Sequence, residues 1–229
     1  MSNSKSILEL EETIEGFGEI YKAKAPFYKS YKILSSIDAE ITSARDLQYA
    51  RMQVKDGLEN SLSKFGSIIK AGCVCTPHRG IILSKNPPIL QSLMIAKEAT
   101  RSHERWQDFA IDEKLAGEYW EKAHDSKNTD ILILKDRRPI PTNRFGEDER
   151  PLWFFEDKAK DAGDFLYNKG IKEFSLFFDS PDCINKHSMS YANQLWLLLV
   201  GTKTGAAGYF EHLNSSDCLV RGLIKKSLS

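Results

Sequence analysis

The chain has no excess of charge of either sign: 32 Lys and Arg residues face 32 Asp and Glu residues, for a net charge of zero. Affinity for nucleic acid by charge alone grows with the number of phosphates neutralised, so a domain that coats nucleic acid is not expected. Weak self-repulsion instead suits a subunit held in an assembly. Long apolar runs are also missing. The longest, Leu195–Val200, is far too short to cross a bilayer, and no membrane insertion is expected. Residues Met1–Ser6 lead into an acidic stretch rather than an apolar one, so no export signal is expected. Cysteine is scarce, with four residues, and without export these read as reduced thiols in a cytoplasmic protein. There is no repeat of domain-building length and no low-complexity tract. His103-Glu104 lacks the second histidine of a zincin helix, and no Ser, Cys or His spacing marks a nucleophile with its base.

What is present is an ordinary globular composition, 41% hydrophobic and 28% charged. Ile7, Leu10, Ile14, Phe17 and Tyr21 are spaced 3, 4, 3, 4, the stripe of an amphipathic helix. Ser6 and Glu9 fit a capping box at its start. Further apolar rows, Ile33–Ala44 and Val54–Ile69, extend a helical reading to about Lys70, and helical spacing returns at Ile89–Thr100 and Ser102–His124. Cys73–Gly80 reads as a turn or short hairpin. The pattern changes near Ser126. Asp130–Asp136, Leu152–Phe155 and Glu173–Phe178 read as strands, and Asp157–Tyr167 as a helix ended by Gly170. Ser190–Val200, Ala206–Leu213 and Leu219–Lys225 read as helices. The expected fold is α+β or α/β: a mostly helical N-terminal half, 1–126, followed by a small sheet with flanking helices, 127–229, as two regions or one continuous globular domain.

Several constellations carry chemistry. Asp136 ends one apolar run, and Glu156-Asp157-Lys158 closes the next, with a helix and another strand candidate after them. This order resembles the core of the PD-(D/E)XK nucleases. The resemblance, confined to residues 130–178, implies Asp136 and Glu156 as Mg²⁺ ligands and Lys158 as the catalytic lysine acting on a nucleic-acid phosphate. Lys135 stands where the family has proline. Cys73, Cys75 and His78 together with Cys183 and His187 have the ligand chemistry of a zinc site at a non-standard spacing. Gly201–Gly208 is a glycine-rich stretch with phosphate-cradling potential, although it matches neither common nucleotide-binding pattern. Tyr21–Lys32 interleaves aromatics with lysines, a pattern of nucleic-acid or protein interfaces. Each also has a plain structural reading: capped helix ends, buried thiols, a small-residue linker and a helix corner. The reading with most support is a non-catalytic protein-interaction subunit or adaptor of a larger complex, with other protein subunits as partners and no cofactor. The nuclease, with Mg²⁺ and nucleic acid, is the alternative.

Overall fold

In the computed structural model, residues 7–54, 62, 66–104, 108–200, 203–208, 213–216 and 218–226 are described. Strands, not helices, organise them. The main path of one mixed sheet runs β1-β2-β12-β4-β10-β11-β9-β8. Its strands are β1 (Ile7–Ile14), β2 (Gly18–Lys24), β4 (Ser67–Thr76), β8 (Ile140–Pro141), β9 (Glu173–Phe177), β10 (Tyr191–Val200), β11 (Lys203–Ala207) and β12 (Leu219–Lys225). Off this path, β3 (Glu40–Ile41) pairs with β12 and β6 (Phe109–Ala110) with β10. β5 (Gly80–Ser84) pairs with β4, and β7 (Ile131–Ile133) with β5.

The expectation of a mostly helical N-terminal half is therefore corrected. Ile7–Tyr21 is a β-hairpin, not a helix. A bulge between Leu10 and Glu12 shifts the register by one residue. Residues beyond it change face, so the period of two is broken and the apolar spacing imitates a helix. Gly16 makes the reversal at φ +71, a conformation open to glycine; Ser6 lies outside the described residues. Helices do occur early, as α1 (Phe27–Ser35) and α2 (Ala44–Gln53). Ile69, the last residue of the expected helical row Val54–Ile69, lies in β4 instead, and residues 55–61 and 63–65 of that span lie outside the described residues.

The C-terminal helices are corrected in the same way. Ser190–Val200 contributes β10, Ala206 and Ala207 belong to β11 while residues 209–212 of that run lie outside the described residues, and Leu219–Lys225 is β12. These runs are apolar without alternation because the sheet is covered on both faces. Along β4, Ile69, Ala71, Cys73 and Cys75 enter one core, while Ile68 and Val74 enter the other. The antiparallel pairing of β4 with β10 joins strands from either side of residue 126 in one sheet.

Leu152–Phe155 departs in the opposite sense. It belongs to a helix, α5 (Glu149–Phe155), not a strand. The Asp148 side chain accepts from the Arg150 N–H as an N-cap, and Pro151 lies in the first turn, where a missing N–H costs nothing. Trp153, Phe154 and Phe155 are all buried, and Phe155 stacks on Phe145 at 5.7 Å while meeting Phe174 edge-on at 5.8 Å. The other helices are α3 (Leu93–Glu104), α4 (Glu113–His124), α6 (Ala159–Asn168) and α7 (Pro181–Asn185). Among the described residues, no helix is long and apolar enough to cross a membrane.

Candidate functional site

Lys85 lies one residue beyond β5, and its N–H donates to the carbonyl of Asp130. The segment after it is held from below, where the Tyr119 hydroxyl of α4 donates to the Asn86 carbonyl at 2.6 Å. Opposite stands the end of α5. Glu156 follows Phe155 with φ 52 and ψ −128, a region that side-chain-bearing residues rarely occupy and that concentrates at functional sites. This backbone turns the Glu156 carboxylate to Lys85, with Nζ and Oε1 at 2.6 Å. The same ammonium lies 5.8 Å from the centroid of the Trp153 ring. Arg45 of α2 reaches in from the other side, 3.6 Å from Glu156 and 2.7 Å from Asp157. Its guanidinium holds the Asp157 carboxyl below its ordinary range.

Three concavities meet at Lys85. One, of about 530 Å³, runs past Tyr31, Asp38, Glu40 and Lys70. A smaller one, of about 190 Å³, is walled mainly by Ala44, Ala71, Trp153 and Phe154. The third, of about 570 Å³, follows Thr129–Leu132 and the α5 residues Glu149, Leu152 and Trp153. Glu156 borders the second and third. Lys70 and Glu40 pair at 2.9 Å beside the first, and the lysine lowers the pKa of Glu40. The result is a composite groove whose second and third lobes are mainly apolar and whose first is mixed, in which ion pairs line the rim and Lys85 stands where the lobes join. Such a surface suits binding: apolar area supplies affinity and the placed charges supply orientation.

The residues singled out for metal chemistry are not gathered in this way. Asp136 lies beyond β7 and is clasped by Arg138, with Nη2 to Oδ2 at 2.8 Å, while Arg150 stands at 3.8 Å. The Arg138 hydrogen bonds pull its pKa down to about 2. Glu156 sits in a 3-10 turn between two helices rather than on a strand, so the adjacent acid-bearing strands of the resemblance are not formed. Lys158, in the same turn, lies near Asp157 and Asp161 and 6.0 Å from the centroid of the Tyr49 ring. Cys73 and Cys75 are buried in β4, whereas Cys183 is exposed on α7. The two halves of the proposed zinc pattern do approach, since the His78 N–H donates to the Asn185 side chain at 2.7 Å. Among the described residues, however, no three His, Cys, Asp or Glu side chains converge on a common metal position. Of the glycine-rich stretch, residues 201 and 202 lie outside the described residues. Residues 203–207 form β11, with its backbone in ladders to β10 and β9, and the Gly208 N–H donates to the Phe177 carbonyl. Gly205 is required there by packing, because a Cβ would fall 2.2 Å from the Ser175 carbonyl oxygen.

No family model matches the chain, and no curated protein matches it. A solved structure does, described as "Accommodation of massive sequence variation in Nanoarchaeota by the C-type lectin fold". The two superpose with a TM-score of 0.62 over 94% of this chain and 100% of that one, at 12% sequence identity. The chain has a C-type lectin-like fold. At that identity the likeness extends to the architecture and leaves the groove residues to be read by their own chemistry.

Lys85, Arg45 and Trp153 were not legible as site residues beforehand. A lysine after a strand carries no signature, and Trp153 falls within Leu152–Phe155, an apolar run whose pattern predicts a strand. The available signal was Asp148 followed by Pro151, a helix start that would have placed Trp153 and Glu156 near the end of one short helix.

Proposed function

We propose that the chain is a protein-binding module, a subunit that docks a partner in the composite groove around Lys85, Trp153 and Glu156. The observation that carries this reading is the convergence of three concavities on one lysine beside a buried tryptophan, with apolar walls and a charged rim. Leu152, 42% exposed on the groove wall, is the kind of accessible apolar residue that an interface covers. The C-type lectin-like fold lends support as architecture alone, a fold described as accommodating massive sequence variation in Nanoarchaeota.

A photo-crosslinking residue at position 152 tests the reading in cells that naturally contain the protein. A discrete protein adduct is expected from position 152, absent when the crosslinker is moved to exposed Thr13 in β1, and lost on Trp153→Ala in a chain that remains folded by circular dichroism. Equal adducts from both positions, or none from position 152, would overturn it.

A further inference from the structure

The third lobe of the groove shows what kind of partner segment it takes. Among the described strands, β7 pairs with β5 alone, so its other side is an open sheet edge. The pairing settles which backbone groups point outward. Lys85 N–H donates to Asp130 O, and Leu134 N–H donates to Ile81 O. In an antiparallel ladder bonding alternates, so residues 130, 132 and 134 address β5 while Ile131 and Ile133 address the open side. The Ile133 carbonyl already accepts from the Lys135 N–H, so among the described residues the Ile131 N–H and C=O and the Ile133 N–H are left for a new strand.

The residues bordering this edge are acidic and apolar. Asp130 and Glu149 are exposed and line the lobe together with Ile131, Leu132 and Leu152. Among the described residues, neither carboxylate takes part in an ion pair. The one lysine among the described residues lining the lobe, Lys85, is engaged by Glu156 at 2.6 Å. The lobe thus combines an unpaired backbone edge, half-exposed apolar side chains and an unbalanced negative charge.

We infer that this lobe binds an extended peptide segment of a partner protein, added as a strand to β7 and carrying Lys or Arg beside an apolar residue. Main-chain bonds to Ile131 and Ile133 hold the segment by strand addition. Its apolar side chain lies against Leu132 and Leu152, and its basic side chains meet Asp130 and Glu149. The inference rests on the groove being the docking site and specifies its occupant.

The test uses the full chain and a displayed library of random linear peptides. Selected peptides are expected to be enriched in Lys and Arg next to an aliphatic residue. Asp130→Lys and Glu149→Lys should each weaken binding by roughly twofold to fivefold, as rim charges do, and added salt should weaken it as well. A proline scan of the peptide, which leaves the protein untouched, should abolish binding at the alternate positions whose N–H joins the ladder and be tolerated between them. Peptides without basic enrichment, or indifferent to proline at every position, overturn the strand-addition inference. If these peptides still lose binding on Leu152→Glu, the groove reading survives. If every selected peptide binds the Leu152→Glu protein unchanged, the groove reading fails as well. A library that yields no binder overturns the inference alone, since the crosslink from position 152 reads the docking site independently.

Discussion

Lys85 and Glu156, 71 residues apart in sequence, meet at 2.6 Å where the three lobes of the groove join. The contact depends on a backbone conformation at Glu156 that carries strain. It is formed because α5 must stop there: the chain turns at φ 52 out of one helix and into the 3-10 turn that precedes the next.

That geometry yields a comparison of two variants. Glu156→Ala and Glu156→Gly both remove the carboxylate, but only glycine relieves the backbone. The glycine variant should be the more stable of the two by about 1–3 kcal/mol, measured by urea unfolding. Equal stability of the pair would show that the turn relaxes at no cost.

A buried ion pair ties the hairpin to the sheet. The Arg221 guanidinium grips Glu11 at 2.6 and 2.9 Å, with side chains 0% and 2% exposed. Arg51, also buried, feels both charges. Glu11→Ala removes the bidentate acceptor from a guanidinium that water cannot reach, and should cost about 3–5 kcal/mol. Glu9→Ala breaks a solvent-exposed pair with Lys22 at 2.8 Å, for which about 0–1 kcal/mol is expected. Chemical denaturation of the two variants provides the contrast, and similar losses would mean that the Glu11 pair is solvated.

The cysteines differ in reach. Cys183 is exposed, while Cys73, Cys75 and Cys218 are buried, and burial raises the pKa of Cys218. A water-soluble disulfide reagent at neutral pH should modify one thiol quickly and the other three only on unfolding. Rapid modification of more than one thiol in the folded protein would contradict the burial of Cys73, Cys75 and Cys218.

Asp136 gives a pH signature. Its pKa, 3.8 when free, falls to about 2 in the folded chain, first through its hydrogen bonds to Arg138. The folded state therefore holds the proton less tightly than the unfolded chain does. The stabilisation is present in full above the unfolded value and is lost as pH falls through about 2. The Asp136 carboxyl resonance should titrate near that value in the folded protein and move towards the ordinary range in Arg138→Ala. An unchanged midpoint in that variant would remove Arg138 as the cause.

Parts of the chain were legible because their signals are local. Ile131–Ile133 and Glu173–Phe177 are strands inside runs that read as strands, and the helix Ala159–Asn168 precedes Gly170, at φ +83, where a stop was expected. Composition alone also determined a globular chain without excess charge. The sheet-rich architecture and the groove were decided by tertiary structure. A bulge at Leu10/Glu12 disguised a hairpin as a helix. Two cores pressed on opposite faces of β4 and β10 removed the alternation that announces a strand. The residues of the groove, Arg45, Lys85, Trp153 and Glu156, come from separate elements, and their meeting follows from how α2, β5 and α5 pack, which no spacing along the chain encodes.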